Sequence, residues 1–437
     1  MKKFWLQVGL ALFALVFFGI YFVFHLGQSS EQRLIKRIQA ISASGDPVRL
    51  SDYWEGPIDP GENGVVQLEI AEGDLEKFDQ KYQGLILLGY VSPRYKLGGG
   101  QLHYMNGMFA EVPGLLPQLR RVAKCRQSID QGLIAGHPFD VDLGHKVKNW
   151  RLAVKALTIN ALAAAHRGDG DEALASCTIA LDLQMALRSL PSVLTFLVEA
   201  ETENLVFETA NHVLRISKPS KQTLSEFKQA LARIDHRATF VDAIKGERVF
   251  GLAALQQLRD GEKAGDFGVF PFSGTWFAEV YLNDDEEMYL DLIEANLAAV
   301  VLPRGKRSQV LGQAVAKLDE STFRYAMSKM ITPCNEAGYA VLDQIDAKLL
   351  AMQLVCDAAD QLNEPGPVLP VIKHLDPYSE TPMQIKQQPG GLTVYSVGNN
   401  QVDDGGSVLI QEASGTALDI GFAPLLDVPS KAESSLP

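Results

Sequence analysis

Residues 149–187, NWRLAVKALTINALAAAHRGDGDEALASCTIALDLQMAL, decide the predicted fold because they read as two helices joined by a short turn. Leu152, Ala156 and Ile159 recur at helical spacing and therefore share one apolar face. Gly168 supplies a stop signal for the first helix, and the acidic residues that follow it supply a start signal for the second. The stretch therefore predicts a helix hairpin.

The chain on both sides of this hairpin continues the helical pattern. Further helices are predicted near residues 192–216, 223–235, 308–330 and 335–362. Glu208 and His212 lie four residues apart on one of them and are interpreted as a surface pair. The acidic run 283–287 is interpreted as the N-cap and first turn of another helix, because carboxylates at that end complement the helix dipole. Residues 149–334 are thus predicted to form an α-helical body.

An apolar run, FWLQVGLALFALVFFGIYFVF, fills Phe4–Phe24, 21 residues without a charged side chain. A helix of that length is about 31 Å long and can cross a hydrocarbon core of about 30 Å. A cleaved signal peptide has a shorter apolar stretch, about 7 to 15 residues, followed by a small-residue cleavage site that is missing here. Residues 1–27 are therefore predicted to be a short cytoplasmic tip and an uncleaved single-pass anchor. A signal anchor of this kind places the remaining chain on the periplasmic or extracellular side of the inner membrane.

Residues 28–64 are predicted to hold a juxtamembrane helix and a linker. Leu34, Ile38 and Ile41 fall on one helical face, and a stretch rich in proline, glycine and acidic residues follows them. The helix is therefore predicted to be amphipathic and to continue the anchor.

Residues 65–148 are predicted to be a mixed region of loops, strands and helices. Glycines and tyrosines cluster between Gly84 and Gly114, a composition that favours short strands or loops over helix. Gly98–Gly100 is interpreted as a flexible turn, because no Lys-Ser/Thr pair follows it to complete a phosphate-binding loop.

The charge balance and the cysteines restrict the class of protein. The chain has 40 basic and 53 acidic residues, a net charge of −13, which argues against a protein that holds nucleic acid by its phosphates. Cys125, Cys177, Cys334 and Cys356 permit two disulfide bridges in three connectivities, or else buried free thiols. If Cys334 and Cys356 lie along one helix, they are too far apart to pair with each other.

Local catalytic signatures are missing from the sequence. It contains no Gly-x-Ser-x-Gly, His-Glu-x-x-His, Cys-x-x-Cys or Gly-x-Gly-x-x-Gly motif. His137, Asp140 and His145 form the one local cluster of ligand-type side chains, in GHPFDVDLGHKV. They predict either the site of an exported hydrolase or an ordinary polar connection, and the neighbouring glycines and proline favour the connection. A non-enzymatic protein is therefore favoured.

The sequence pattern changes in the C-terminal part of the chain. Residues 392–397 alternate as a β-strand does, and Gly398-Asn399-Asn400 then turns the chain, which predicts a β-hairpin. The order of an Asp-Pro-Tyr turn at 376–378, the strand end Tyr-Ser-Val-Gly at 395–398 and a following acidic loop resembles the globular end of type II secretion major pseudopilins. The resemblance covers residues 335–422. It implies a small α+β fold and a calcium loop with three carboxylate ligands, namely Asp403, Asp404 and Asp419.

The chain also departs from that family. It has no prepilin cleavage motif, and Gln7 is the only polar residue of its apolar run, so a filament subunit is not expected. More broadly, the chain resembles bacterial membrane-anchored helical proteins that carry such an ending, which implies no activity. Residues 423–437 are predicted to be a flexible tail.

These observations predict a mainly α protein with one N-terminal transmembrane helix, a helix-hairpin body and a small C-terminal α+β end that contains a β-hairpin. The expected role is that of a membrane-tethered envelope protein whose exported body is a structural or protein-interaction module, with calcium as its one expected cofactor. The alternatives are the exported hydrolase and an accessory scaffold of a secretion or pilus-like machine. The expected partners are the lipid bilayer, through residues 4–24, and an unidentified protein, but no nucleic acid. The oligomeric state is left open.

Overall fold

The computed structural model confirms a mainly helical protein with a small antiparallel sheet near its C-terminus. The structure describes residues 28–53, 56, 58–125, 128, 143–186, 188, 191–260, 276–319, 325, 328–329, 335–361, 374–388, 391–408 and 418–427. The predicted anchor at 4–24 lies outside these residues. No helix in the described part of the chain has both the length and the apolar character that a bilayer crossing requires.

The helices and strands follow one another in a simple order. The helices are α1 (28–43), α2 (Gly64–Ile70), α3 (Glu72–Leu87), α4 (Gly99–Met108), α5 (Leu115–Val122), α6 (Leu143–His166), α7 (Gly170–Ala186), α8 (Val193–Ile216), α9 (Lys221–Ala232), α10 (His236–Arg259), α11 (Trp276–Val300), α12 (Arg304–Asp319) and α13 (Asn335–Gln361). A 3-10 turn at Leu50–Tyr53 precedes α2, and the strands are β1 (Gln384–Gln388), β2 (Gly391–Ser396) and β3 (Ile420–Phe422). The helices predicted near 192–216 and 335–362 are therefore confirmed.

The described residues divide into two compact units. Unit 1 takes those within Met1–Gly56 and Val241–Asn335, and unit 2 takes those within Pro57–Asp130, Asp142–Phe240 and Glu336–Pro437. In unit 1, α11 packs on α12. In unit 2, α6, α7 and α8 pack on one another, α9 packs on α7, and α3 and α4 pack on α6.

The predicted helix hairpin, now α6 and α7, is confirmed and forms the centre of unit 2. Leu152, Ala156 and Ile159 are all buried, and each fully buried leucine or isoleucine of such a core contributes about 2 kcal/mol. Gly168 ends α6 in the left-handed region, with a φ of +84° that disfavours any residue with a Cβ. A Cβ on Gly170 would lie 2.8 Å from the backbone of the chain that precedes α9, so the tight turn requires glycine there too.

The prediction for Gly98–Gly100 is wrong, because these glycines begin a helix instead of forming a flexible turn. Gly98 has the extended conformation of an N-cap residue, and α4 starts at the next residue. The Gln101 side chain accepts a hydrogen bond from the Gly98 amide at 2.9 Å, which satisfies one of the amides that a helix start leaves free. This local cap, together with the packing of α4 on α6, overrides the low helix propensity of glycine.

The C-terminal sheet has the strand order β1-β2-β3 and is antiparallel throughout. Ile385 pairs with Val394 in the first ladder, and Val394 pairs with Phe422 in the second. A hairpin is present, but it joins β2 to the upstream β1, whereas the prediction placed its turn at Gly398-Asn399-Asn400. Residues 393–396 of the central strand β2 are all buried, apolar and polar alike, so both faces of this strand are covered.

Candidate functional site

The predicted hydrolase cluster is only partly described, because His137 and Asp140 lie outside the described residues. His145 lies in the first turn of α6. Its Nε2 contacts a Glu72 carboxylate oxygen and lies 3.3 Å from Asn149 Nδ2, and its side chain is 46% exposed. These contacts are those of an exposed, hydrogen-bonded side chain. The hydrolase site stays a prediction.

The three predicted calcium ligands lie around one loop of unit 2, and each carboxylate accepts hydrogen bonds from the protein. Asp419 accepts from the amides of Gly406 and Ser407, at 2.8 and 2.9 Å, and lies 3.4 Å from the amide of Asp404. Asp403 accepts from the Tyr395 hydroxyl and the Gly405 amide, both at 2.8 Å. Asn400 donates to Asp404 at 2.7 Å.

This donor set suits a carboxylate better than a calcium ion. Calcium requires six to eight oxygen ligands, whereas N–H and O–H donors point at these carboxylates. The Gly405 amide and the Tyr395 hydroxyl lower the pKa of Asp403, whereas burial raises the pKa of Asp419 despite its amide partners. Within the described ranges, no group of three or more His, Cys, Asp or Glu residues is placed to hold a metal ion. Calcium binding stays a prediction, and it would require Asp403 and Asp404 to exchange their present donors for the ion.

The Asp-Pro-Tyr turn has a clear structural role. The Asp376 carboxylate accepts from the Tyr378 amide at 2.8 Å, from the Ser396 hydroxyl at 2.7 Å and from the Val397 amide at 2.9 Å. These bonds fix the turn to the end of β2, and Asp376 is almost completely buried. The residues that carry the resemblance to pseudopilins therefore stabilise the sheet.

A triad of charged side chains, the buried Glu208 and Lys348 with the partly exposed Arg94, fastens the C-terminal sheet to the helices of unit 2. Lys348 Nζ donates to Glu208 at 2.6 Å and to the Gly421 carbonyl at 3.0 Å, and Arg94 pairs with the same carboxylate at 2.7 Å. The Glu208 and Lys348 side chains are 7% and 4% exposed. Burial alone would raise the pKa of Glu208, but Lys348 and Arg94 more than offset it, so its pKa is lowered and the carboxylate is ionised. The interpretation of Glu208 and His212 as a surface pair is wrong, since both are buried.

Two further residues of α8 extend this attachment. Arg215 donates to the Leu392 carbonyl at 2.8 Å, and Asn211 donates to the Ala423 carbonyl at 3.2 Å. A cleft of about 10 Å³, room for about one water molecule, lies beside the triad, between Arg94, Asn211 and the segment around Pro424. Sites for small molecules usually measure about 300 to 1,000 Å³, so this cleft does not favour a substrate pocket.

A second buried group in unit 2, the acid–imidazole cluster, consists of Glu199, Glu203, His236 and Asp346. The His236 ring lies between the two carboxylates of Glu203 and Asp346, at 2.7 and 2.8 Å. Burial lowers the pKa of His236, but the two carboxylates more than offset it and raise the value to about 10. Burial raises the pKa of Glu199 to about 7, although Arg188 contacts the carboxylate and opposes the shift.

The imidazole pair of unit 2 consists of His166, the last residue of α6, and His212 on α8. Their Nε2 atoms lie 3.1 Å apart, and His212 Nδ1 lies 2.7 Å from the Pro93 carbonyl oxygen. Because a carbonyl only accepts, His212 Nδ1 carries the proton, and its Nε2 has a lone pair that accepts from His166. Burial lowers the pKa of His212 to about 4 and also lowers that of His166.

In unit 1, α1 binds to α11 through an arginine seam, which consists of Arg33 and Arg37 together with carboxylates of α11. Arg33 pairs with Glu287 at 3.1 Å, and Arg37 pairs with Asp291 at 2.8 Å and with Glu294 at 2.9 Å. The seam runs beside a small apolar cluster in which the α1 side chains meet α10 and α11, formed by Leu34, Leu252 and Leu290 with Ile38, Ile41 and Val48 packed against it. The predicted amphipathic character of α1 is therefore confirmed.

The interpretation of the acidic run 283–287 as an N-cap is wrong. The helix begins at Trp276, so the run lies inside α11. Its carboxylates have partners on other elements: Glu287 binds Arg33, and Glu286 contacts Arg259 of α10. Glu286 and Glu287 therefore face arginines of neighbouring helices.

The cysteines that the structure describes are free thiols. Cys125, Cys177 and Cys356 are buried and unpaired with one another, and Cys334 lies outside the described residues. Burial raises the pKa of all three described thiols above the usual range. Each is therefore protonated at neutral pH.

Comparison with known proteins gives no relative: no family model, no curated protein and no solved structure matches the chain.

Proposed function

We propose that this protein is a membrane-tethered envelope protein whose exported helical body serves as a structural or protein-interaction module. The apolar run Phe4–Phe24 would be the anchor. The two units would then lie on the periplasmic or extracellular side of the inner membrane.

The arginine seam is the observation that carries this proposal. Only three residues separate Phe24 from the first described residue of α1. The apolar face of α1 lies in the core of unit 1, and both arginines of the helix bind α11. A helix that directly follows an anchor and is built into a folded unit supports a short, firm connection between membrane and body.

The buried charges of unit 2 support a role other than catalysis. In the triad and the acid–imidazole cluster, each buried carboxylate has a basic partner on another element, as Glu208 has in Lys348 and Glu203 has in His236. Such pairs join helices to each other and to the sheet. The cleft beside the triad is also smaller than an ordinary ligand site.

An exposed apolar ridge on unit 2 supports a protein partner. The ridge consists of Ile86, Leu87 and Leu88 at the end of α3 and Val91 in the following loop, and Leu87 is 87% exposed. Contiguous exposed apolar side chains of this kind often mark interaction surfaces. The partner is therefore expected to present an apolar patch of its own.

The test of the tether is a topology experiment on the full-length chain. We expect the protein to remain in the membrane fraction after carbonate extraction, and protease added to spheroplasts to digest both units. A variant that lacks Phe4–Phe24 should accumulate as a soluble protein. If the protease added to spheroplasts leaves the body of the full-length chain intact, the proposed location is wrong.

The test of the partner uses photo-crosslinking in intact cells. A photoreactive residue at Leu87 should capture one protein in stoichiometric amount, and Leu88→Ser with Val91→Ser should reduce this product. Val315, an exposed valine on α12 of unit 1, provides the matched control position. Equal or absent crosslinking at both positions would contradict a partner at the ridge.

A calcium-stabilised C-terminal loop belongs to this proposal, and an accessory role in a secretion or pilus-like machine is an alternative to it. They are supported by the resemblance of residues 335–422 to major pseudopilins and by the three-stranded sheet in that region. A calcium-dependent increase in melting temperature is the measurement that separates this version from a calcium-free module.

A further inference from the structure

We propose that the imidazole pair, His166 and His212, binds one divalent transition-metal ion of the borderline class, such as Cu²⁺ or Zn²⁺. The two imidazoles would supply two nitrogen ligands, and water would complete the coordination shell. This inference does not depend on the proposed function.

The orientation of His212 is that of a metal ligand. Its Nδ1 donates to the Pro93 carbonyl at 2.7 Å, so the ring is fixed and Nε2 is left with its lone pair. Histidines that bind metals usually donate their second ring N–H to a carbonyl or carboxylate in this way. The side chain is completely buried on α8, and its lone pair is directed at a single neighbour, His166.

The separation of the two nitrogens suits a shared ion. Two nitrogens that each lie about 2.05 Å from a metal are about 2.9 Å apart in a square-planar site and about 3.3 Å apart in a tetrahedral one. The observed distance between the Nε2 atoms is 3.1 Å. It falls between the values expected for Cu²⁺ and Zn²⁺.

Little movement is needed to replace the proton between the rings by an ion. The ring centroids are 5.3 Å apart, which is a head-on arrangement in which His166 Nε2–H donates to His212. Ligation to one ion would bend the rings inwards and bring the centroids to about 4.8 Å. His166 is exposed at the end of α6 and can turn, and its proton moves to Nδ1 on the solvent side.

The helix dipole beside the pair favours a cation, but the neighbouring side chains limit the affinity. His166 lies at the C-terminus of α6, where the helix dipole is negative. The nearest carboxylate along α8 is Glu208, one turn before His212, and its single negative charge is more than offset by Lys348 and Arg94, so it does not attract the ion. Two neutral nitrogens without a carboxylate select Cu²⁺ and Zn²⁺ over Mg²⁺ and Ca²⁺, which prefer oxygen ligands.

The experiment titrates the full-length chain, purified in detergent without a polyhistidine tag, with CuCl₂ and ZnCl₂. We expect one equivalent of ion to bind, and a hundredfold excess over Kd to raise the melting temperature by roughly 5 °C. The electron paramagnetic resonance spectrum of the Cu²⁺ form should show coupling to two imidazole nitrogens. MgCl₂ and CaCl₂ should not compete.

The variants separate this site from incidental binding. His166→Ala changes an exposed side chain, so the fold should survive while affinity falls at least tenfold and the two-nitrogen signal is lost. His103→Ala removes another exposed histidine, on α4, and should change neither result. If the wild type binds no more tightly than His166→Ala, or if its spectrum lacks two-nitrogen coupling, the pair is an ordinary imidazole hydrogen bond and the proposal is overturned.

Discussion

The arginine seam of unit 1 and the triad of unit 2 use the same chemical groups, a basic side chain against a carboxylate, in opposite surroundings. In the seam, the Arg33 and Arg37 side chains are 56% and 22% exposed, and water and salt screen their pairs with α11. In the triad, the Glu208 and Lys348 side chains are almost completely enclosed. Exposed pairs contribute about 0 to 1 kcal/mol each, whereas the loss of one member of a buried pair costs about 3 to 5 kcal/mol.

The difference in exposure indicates what the seam and the triad each contribute to the structure. The seam can only add to an attachment that the apolar contacts of Leu34 already provide. The triad does more, because Lys348 also donates to the Gly421 carbonyl and Arg94 belongs to the loop that pairs with Leu426. Its charges therefore specify the position of the sheet on the helices of unit 2. An apolar contact alone would define this position less strictly.

The largest expected effect is that of Lys348→Met, which leaves Glu208 buried with one basic partner. We expect unit 2 to lose about 3 to 5 kcal/mol of stability, measured by chemical unfolding of the full-length chain. Lys228→Met is the matched control, because Lys228 also binds carboxylates of α13 but is more exposed, and it should cost less than about 1 kcal/mol. A double variant, Lys348→Met with Glu208→Leu, should recover most of the loss. If Lys348→Met costs no more than Lys228→Met, the triad is not a structural element.

The next effect concerns the pH dependence of unit 2. The pKa of Glu199 is raised to about 7 in the folded protein, so the folded state binds its proton more tightly than the unfolded chain does. The stability that this group provides is fully present below its unfolded value of 4.5 and is lost as the pH rises through 7. His236, with a folded pKa of about 10, acts in the same direction between its unfolded value of 6.5 and 10.

Unfolding free energy measured from pH 5 to 10 should therefore fall as the pH rises. Glu199→Gln should remove the portion of this fall in unfolding free energy that occurs below pH 7, a change on the order of 2 kcal/mol. Glu201→Gln, on the exposed side of the same helix, should leave the profile unchanged. Equal profiles for the wild type and Glu199→Gln would show that Glu199 does not titrate in this range.

The seam should give a smaller and salt-dependent effect. Arg33→Ala combined with Arg37→Ala should lower the stability of unit 1 by about 1 kcal/mol at low salt, and the difference should nearly vanish in 1 M NaCl. Arg49→Ala, which removes another exposed arginine of unit 1, should have no such effect. A loss that persists at high salt would mean that the arginines act through packing and not through charge.

The smallest expected effect is that of calcium. Millimolar Ca²⁺ should raise the melting temperature by about 2 °C if it binds the native state alone, and Asp403→Ala with Asp404→Ala should abolish the increase. Asp427→Ala, an exposed aspartate paired with Lys96, provides the control. No shift in the wild type would end the calcium hypothesis and leave Asp419 as a carboxylate held by amides.

Features of the molecule that depend on local sequence were predictable, and features that depend on long-range contacts were not. The stop at Gly168 and the amphipathic face of α1 were predicted correctly, because each depends on local conformation or on spacing along one helix. The start of α4 at Gly99 was missed, because the Gln101 cap and the packing of α4 on α6 outweighed the low helix propensity of glycine. The acidic run 283–287 was misread, since its partner Arg33 lies about 250 residues away in the chain.

The candidate sites were harder to predict for the same reason. Lys348 falls at the helical spacing of Ile345 and Met352, both buried, so its burial could have been inferred from the pattern. Its partner Glu208 could not, because no local rule pairs residues 140 positions apart. The imidazole pair likewise joins two helix residues that only the fold brings together.

The buried thiols of unit 2 have a practical consequence. Cys177 and Cys356 lie on α7 and α13 and are fully enclosed. Only the thiolate reacts with an alkylating reagent, and burial keeps both groups protonated. The rate at which iodoacetamide labels these two positions, followed by mass spectrometry, therefore reports how often unit 2 opens in intact cells, without purification and without any ligand.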